Sequence, residues 1–444
     1  MPQSPLRFLH ADQLNLDVPL EGISAISSSS LQELSTAPLN LLDNLLEYAM
    51  EESVPFVLLT GTLFGADPPS LAAQSALRQF AAELYELGVE LVLAPHPLER
   101  QLLSRQYWDE LEAILLEPNL SASIELESSS SHAHAHLHVE IQLRKEGSNG
   151  YAASDPSREN EFRIVVLEAD EPFSGLQSLL QAHTAGSEIS EAACGHALEQ
   201  VIESTHRTID ADYVALTGYG YRAQKKRDSH QHSRFYHAAG CLMPRTFEEA
   251  QVEKVGQATL VRVEPGQGIH LTSRRVAPLR LVPVSIQVHP ADSKRDLERR
   301  LQEEIDALEP AAVEKLFIIE WNINGAGDLL FELADTELRR DLEKKLKGSR
   351  PLIHQWKLWP DRNALEHAYS QEPLASQFLE QLQQYAETNP GNLVSDFLSR
   401  LEIDSQWQHR LRQLGTELST ESILAAACQQ GGAYFVSTEE GVER

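Results

Sequence analysis

The chain predicts an α/β protein, and three observations carry that expectation. The first 97 residues alternate strand, helix, strand, helix, strand; alternating strands follow from about residue 124; and a β-α-β-β-α-β pattern begins near Leu281. A length of 444 residues fits about three domains. They are expected at 1–280, 281–362 and 363–444. With 42% hydrophobic residues the chain can build packed cores.

Arg7 to Ala11 is a short apolar strand, and the polar cluster Asp12 to Asn15 stands where it ends. Ligands and catalytic groups collect at such strand ends in α/β proteins. Ser24 to Ser35 is serine-rich and reads as a loop. Leu39, Leu42, Leu46 and Ala49 then repeat at helical spacing before a second strand, Val54 to Phe64. A helix from Leu71 to Leu87, stopped by Gly88, leads into a third strand, Val89 to Pro97. Gln101 to Leu116 reads as a further helix.

Beyond it the runs Ile124–Glu127, His132–Leu143 and Glu161–Leu167 alternate as strands, separated by Gly147–Gly150 and Asp155–Pro156. A helix, Ser190–Arg207, precedes the strand within Ile209–Tyr221, and Phe235–Cys241 is another strand. Ala258–Val263 and Ile269–Val276 are expected to complete this second sheet. From Leu281 the order is strand Val284–His289, helix Asp292–Leu308, strand Lys315–Ile323, short strand Leu329–Glu332, helix Thr336–Lys347 and strand Ile353–Trp359. Glu372 to Cys428 reads as helical, with Phe378, Leu379, Leu382 and Tyr385 on one face and Leu393, Phe397 and Leu401 on another. Such stripes serve either an internal core or a partner's groove.

The net charge of −29 and pI near 4.9 argue against a protein whose main surface grips nucleic acid. Cys194, Cys241 and Cys428 form no C-x-x-C pair, which fits a reducing compartment. No signal peptide and no apolar run of membrane-spanning length is apparent. A cytoplasmic protein is expected.

The strand ends and the segment Asp212-Tyr-Val-Ala-Leu-Thr-Gly-Tyr-Gly-Tyr221 resemble the SbcD-type DNA repair exonucleases, calcineurin-like metallophosphoesterases that work with SMC-like ATPases. The family's strand ends read D-x-H, G-D and G-N-H-[DE]. Aligned without gaps, they fall on Gln13 and Asn15, on Thr62, and on Ala94-Pro95-His96-Pro97, so that only His96 keeps its type. The family's Leu-His-Thr motif meets Glu168, and the two histidines of D-Y-x-A-L-G-H-x-H have become Tyr219 and Tyr221. Phe235-Tyr-His-Ala-Ala-Gly-Cys resembles its strand ending in Y-P-G.

This resemblance implies a four-layer α-β-β-α sandwich, a small α+β capping domain, and C-terminal helices that bind the coiled-coil base of an SMC-like ATPase. It further implies a homodimer that meets DNA ends. Catalysis by such a fold needs two divalent cations about 3.5–4 Å apart. At an effective dielectric of 20, two such ions at 4 Å repel by on the order of 17 kcal/mol, which anionic ligands must offset. Neutral Gln13, Asn15 and Thr62 cannot, so a pseudo-enzyme with no cofactor is expected. The alternative is an active enzyme using manganese or another divalent metal on Asp12, His96 and Glu168. A one-residue slip that restored Asp12 would put Leu14 two residues on, and the pleat would turn neighbouring side chains to opposite faces.

Two further stretches carry chemistry. His132, His134, His136 and His138 share one face at strand spacing, and imidazoles ligate zinc or nickel. Same-face neighbours lie roughly 7 Å apart, so a shared metal would need help from another element. A solvated strand face is the competing explanation. Arg222, Lys225, Lys226 and Arg227 form the most basic short stretch, either a phosphate or DNA contact on the site's rim or an exposed loop.

Overall fold

The computed structural model describes residues 5–17, 20, 28–65, 68–118, 120–127, 136–145, 161–168, 190–205, 209, 211–228, 233–252, 254–264, 268–325, 328–333, 335–360 and 384. His132, His134, the loops at 147–150 and 155–156, and Glu372–Cys428 apart from Gln384 lie outside them. The chain divides into two compact units. One comprises the chain up to Pro283 with Pro310–Ile319 and Arg350–Ile353; the other comprises Val284–Glu309, Glu320–Ser349 and the chain from His354.

In the first unit the strands are β1 (Leu6–Asp12), β2 (Phe56–Gly61), β3 (Glu90–Pro95), β4 (Ile114–Leu115), β5 (Ser121–Glu127), β6 (His136–Lys145), β7 (Glu161–Glu168), β8 (Tyr213–Thr217), β9 (Arg222–Asp228), β10 (Ser233–Ala239), β11 (Gln257–Glu264) and β12 (Gly268–Arg275). The helices are α1 (Ser28–Glu52), α2 (Leu71–Glu86), α3 (Pro97–Leu102), α4 (Arg105–Asp109) and α5 (Glu191–Thr205). Two six-stranded sheets form, in the orders β12-β11-β1-β2-β3-β4 and β5-β6-β7-β8-β10-β9.

Strand alternation explains why these sheets stack. Leu6 and Phe8 of β1, Phe56 and Leu58 of β2, Ile141 and Leu143 of β6, and Phe162 and Ile164 of β7 share one core between the sheets. The opposite residues of the first sheet, including Leu9, Val57 and Leu91, pack with Leu41, Leu45, Leu77 and Phe80 of α1 and α2. Val165, Leu167, Val214 and Leu216 of the second pack with Leu198 and Ile202 of α5. This is the α-β-β-α sandwich. Strands covered on both faces read as continuous apolar runs, which is why β1 to β3 were so legible.

Four expectations are corrected. β11 and β12 belong to the first sheet: β11 pairs antiparallel with β1 from Leu6↔Val263 to His10↔Thr259. Ala258 and Leu260 face the helical core and Val261 and Val263 the inter-sheet core, so both faces of β11 are apolar and it takes an interior place beside β1. The serine-rich stretch is helical from Ser28, because apolar spacing continues back to Leu34, which packs on the first core; Pro38 is tolerated within that helix.

The helix expected at Gln101–Leu116 is instead α3, α4 and β4. Leu103 turns extended, and Ser104 caps a new helix by accepting from the Tyr107 N–H at 3.2 Å. In the second unit, Leu329–Glu332 is part of helix α7 (Asp328–Glu332), not a strand. Five residues with three consecutive apolar positions carry no period that separates strand from helix.

The α+β part contains β13 (Leu279–Val288), α6 (Lys294–Asp306), β14 (Leu316–Gly325), α7, α8 (Thr336–Lys345) and β15 (Leu352–Pro360), with a three-stranded sheet in the order β13-β14-β15. Helix α6 starts at a capping box formed by Ser293 and Asp296 and buries Leu297, Leu301 and Ile305. Within the second unit, Trp321 donates to His354 at 3.0 Å and stacks on its ring. No helix among the described residues is long and apolar enough to cross a membrane.

Candidate functional site

The site is assembled where β1, β2, β3, β7 and β8 end. Strands β1, β2 and β3 are parallel, with Asp12↔Thr60 and Gly61↔Pro95 in register, and β7 ends beside β8 with Glu168↔Thr217. Backbone pairing continues past the strands: Gln13 donates to Thr60, Asn15 to Thr62, and His96 to Gly61, at 3.0–3.2 Å. The positions Gln13, Asn15, Thr62, Pro95, His96, Glu168, Tyr219 and Tyr221 therefore all belong to the strand-end edge of one unit. They do not all face one point.

Asp12, Gln13, Gly61 and Thr217 do meet. Asp12 Oδ1 accepts from the Thr60 hydroxyl at 2.8 Å and the Thr217 hydroxyl at 2.6 Å, and Oδ2 accepts from the Gly218 N–H at 3.4 Å. A Cβ at Gly61 would lie 2.5 Å from Asp12 Oδ1, 2.8 Å from Thr217 Oγ1 and 3.2 Å from Gln13 Cγ, so only glycine lets the three approach. Gln13 and Asn15 adopt φ of 53° and 50°, a left-handed conformation uncommon for side-chain-bearing residues and concentrated at functional sites. The strand pleat thus ends at Asp12. Asp12 and Gln13 both flank Gly61, which corrects the expectation that pleating sends them to opposite faces.

The electrostatics of this cluster are set by burial. Asp12 is only 1% exposed, and desolvation pushes its carboxyl up to about 7, against the smaller downward pull of its hydroxyl and N–H donors. The Gln13 amide is fully buried, with no hydrogen-bond partner for either polar atom among the described residues. Asn15 donates to the Met243 carbonyl at 2.9 Å and points to Cys241 Sγ at 3.5 Å. Tyr219 and Tyr221 are buried in the core beneath α5, their rings edge to face with centroids 6.0 Å apart. They fill volume.

The other candidate ligands are engaged elsewhere. Glu168 forms a buried ion pair with Arg100, at 3.2 and 3.4 Å to its two oxygens. His96 caps α3, its Nδ1 accepting from the Leu98 N–H at 3.4 Å. The donor set Asp12, His96 and Glu168 thus offers one carboxylate already held by two hydroxyls and a backbone N–H, and one already paired with a cation. These residues do not fit a binuclear metal centre, whose ligands must carry net negative charge.

Three features escaped sequence reasoning. Glu99, in the first turn of α3, accepts from the Leu63, Phe64 and Gly65 N–H groups at 2.8–2.9 Å and so fixes the loop after β2. Burial raises its carboxyl while those three donors lower it. Arg100, one residue on, is the partner of Glu168. Between the sheets, His10, Tyr213 and His237 form a closed polar triangle with edges of 2.9, 3.2 and 2.6 Å, and His10 Nε2 lies 3.3 Å from Thr60 Oγ1. Burial lowers His10 to about 3 and His237 well below its ordinary value, so both rings are neutral. The sign was available: a histidine at position 10 interrupts the apolar run from Phe8 to Ala11.

The basic stretch is neither a loop nor one patch. It forms β9, an edge strand paired antiparallel with β10. Arg222 turns into the protein, 8% exposed, and donates to the Thr259 hydroxyl at 2.9 Å and to the Ser273 hydroxyl. Lys225 lies on the other face, 3.1 Å from Glu199 of α5, while Lys226 and Arg227 are exposed. His138 is half-buried on β6, in register with Glu125 of β5 and Glu161 of β7.

No family model matches the chain. An 86-residue segment, 19% of the chain, is 33% identical to an uncharacterized metallophosphoesterase of Bacillus subtilis (strain 168), YhaO, and spans about a fifth (21%) of that protein. A solved structure described as GAP50, the anchor in the inner membrane complex of Plasmodium, is similar at a TM-score of 0.32 and 10% identity, over 62% of this chain and 85% of that one. The segment match and the sandwich together support a metallophosphoesterase-like α/β fold.

Proposed function

We propose that this chain is a catalytically degenerate, SbcD-like metallophosphoesterase subunit that serves as a structural or regulatory partner of an SMC-like ATPase in DNA-end processing. The observation that carries the loss of catalysis is the chemistry of the strand ends. Among the described residues, the groups meeting at Gly61 are one carboxylate, two hydroxyls and a carboxamide, too little negative charge to offset the repulsion of paired divalent cations. Homodimerisation, a cytoplasmic location and contact with DNA ends are part of the same proposal, resting on the resemblance of the motifs; Lys226 and Arg227, exposed on β9, are the residues proposed to meet a backbone phosphate.

The test is metal content together with turnover. After equilibration with manganese and desalting, an untagged protein should retain well under about 0.1 equivalents and leave a generic phosphodiester intact. Retention of about two equivalents, with turnover abolished by His96→Ala, would establish the active enzyme instead. The partnership is tested by co-purifying the chain with an SMC-like ATPase of the same genome; failure to associate at micromolar concentrations would remove that half of the proposal.

A further inference from the structure

In the first unit a cavity of about 240 Å³ lies between the segment 244–256, the end of β12 and the start of β13. Its wall is apolar at Val252, Val255, Leu279 and Leu281, and its charged lining residues are all cations, Lys254, Arg275 and Arg280. No described residue lining it is acidic. From this combination we infer a binding site for a short aliphatic monocarboxylate, its charged end at Arg280 beside Arg275 and its tail against the apolar wall. The site stands whether or not the chain partners an ATPase.

The charge balance selects a monoanion. Arg275 is the fixed member of the pair: its Nε lies 3.1 Å from Oε1 of the buried Glu314, and its Nη1 lies 2.8 Å from where a Cβ on Gly256 would be, in space that only glycine leaves open. Glu314 therefore answers one guanidinium. Arg280 brings a second, close enough that its charge joins burial in lowering Arg275, and its side chain has no ion pair or hydrogen bond among the described residues. Lys254 is already engaged within the protein and adds nothing to the balance. Two guanidiniums against one carboxylate leave a single positive charge. A second carboxylate matches it in charge and in the planar geometry a guanidinium fork prefers, whereas a phosphate dianion would exceed it and an ammonium would add to it.

The volume and the lining set the rest of the ligand. At the roughly 30 Å³ that a water takes up in the liquid, the cavity holds about eight groups of that size, as many as hexanoate has heavy atoms. Gln251 is the one uncharged polar side chain among the described lining residues, so a sugar would bury hydroxyls without partners there. A hydrocarbon tail gains instead, by about fourfold in affinity for each methylene that leaves water.

Calorimetry and thermal shift on the full chain test the site with hexanoate, acetate, hexan-1-ol and hexylamine as probes. Hexanoate should bind with a dissociation constant on the order of 1 mM and, at about 10 mM, raise the melting temperature by roughly 2 °C. Acetate lacks the tail and hexan-1-ol the charge, so each should bind at least about tenfold more weakly, and hexylamine should not bind. Arg280→Gln should weaken hexanoate about tenfold, and Arg280→Glu should eliminate its binding, both with unchanged circular dichroism. Neither substitution breaks an ion pair or hydrogen bond among the described residues, and in the absence of ligand both should leave the melting temperature unchanged or slightly higher, because the repulsion of Arg275 is relieved. No response to hexanoate at about 20 mM, acetate or hexan-1-ol binding as tightly as hexanoate, or undiminished binding in both variants would each overturn the inference. A hydrophobic peptide that binds at least about tenfold tighter than hexanoate through its free C-terminus, and not as its amide, would replace the small acid with a chain end.

Discussion

Two buried carboxylates stand at strand ends of the same sandwich and meet burial in opposite ways. Asp12, at the end of the first sheet's β1, is held by two hydroxyls and a backbone N–H; Glu168, at the end of the second sheet's β7, is held by a guanidinium. Dipoles only partly replace lost water, so Asp12 titrates near neutrality and can shed its charge. Glu168 keeps a full counter-charge beside it. The difference teaches that a carboxylate's presence in a site-like position says little about metal binding until its neighbours are known.

The sharpest way to break the first arrangement is Gly61→Ala. The new methyl would meet Asp12 Oδ1 at 2.5 Å in a backbone of φ 73° that disfavours any side chain. Strain and steric overlap together should destabilise the fold by more than about 4 kcal/mol, read as a collapsed denaturation midpoint or no soluble protein. A loss under about 1 kcal/mol would show that the cluster is looser than described.

The second arrangement is broken by Arg100→Ala. With side chains 13% and 8% exposed, removing the guanidinium strands Glu168 and should cost on the order of 3–5 kcal/mol by urea denaturation. Pairing it with Glu168→Leu should restore most of that, because an apolar replacement carries no uncompensated charge. Equal loss in the single and double variants would mean that packing, not charge, is what Arg100 supplies.

Asp12→Asn sharpens the comparison through pH. The folded carboxyl is raised to about 7 from 3.8, so its contribution to stability is full below the unfolded value and is lost as pH rises through about 7. His10, lowered to about 3 from 6.5, works the other way: its contribution is full above 6.5 and is lost as pH falls toward 3. His237 has the same sign as His10. The wild type therefore loses stability in mild acid less steeply than its two neutral histidines alone would dictate. Asp12→Asn removes the opposing slope, and the stability difference between variant and wild type should move by about 1.4 kcal/mol per pH unit between pH 4 and 7. A constant difference across that range would show that Asp12 does not titrate there.

The comparison also marks what a linear sequence conveys. Strands covered on both faces announce themselves as apolar runs, and β1 to β3 and β6 to β8 fell where the residues placed them, within a few positions. Partner choice is another matter. Nothing in the alternation of Ala258–Val263 says that it joins β1 rather than β10; only the burial of both its faces does. The same holds for the site. Gln13, Asn15 and Thr62 could be placed by motif spacing, but Glu99, Arg100 and Thr217 act through distances across 34 to 205 positions of sequence. The four basic residues of β9 looked like one patch because sequence distance hides the pleat. In the fold Arg222 and Lys225 point to opposite sides of the sheet.

The smallest expected effect isolates burial as the cause of the larger ones. Lys225 lies 3.1 Å from Glu199, slightly closer than Arg100 lies to Glu168, yet its partners are 44% and 49% exposed. Water and salt screen that pair, and holding two long side chains together costs entropy that the attraction barely offsets. Lys225→Ala should therefore change stability by no more than about 0.5 kcal/mol, with the residual effect vanishing in roughly 1 M salt. If it instead cost as much as Arg100→Ala, distance would govern these pairs and the contrast between the two carboxylates would need another cause. The expected order, large for the enclosed pair and negligible for the open one, follows from solvent alone, since both pairs join a basic side chain to a glutamate at nearly the same separation.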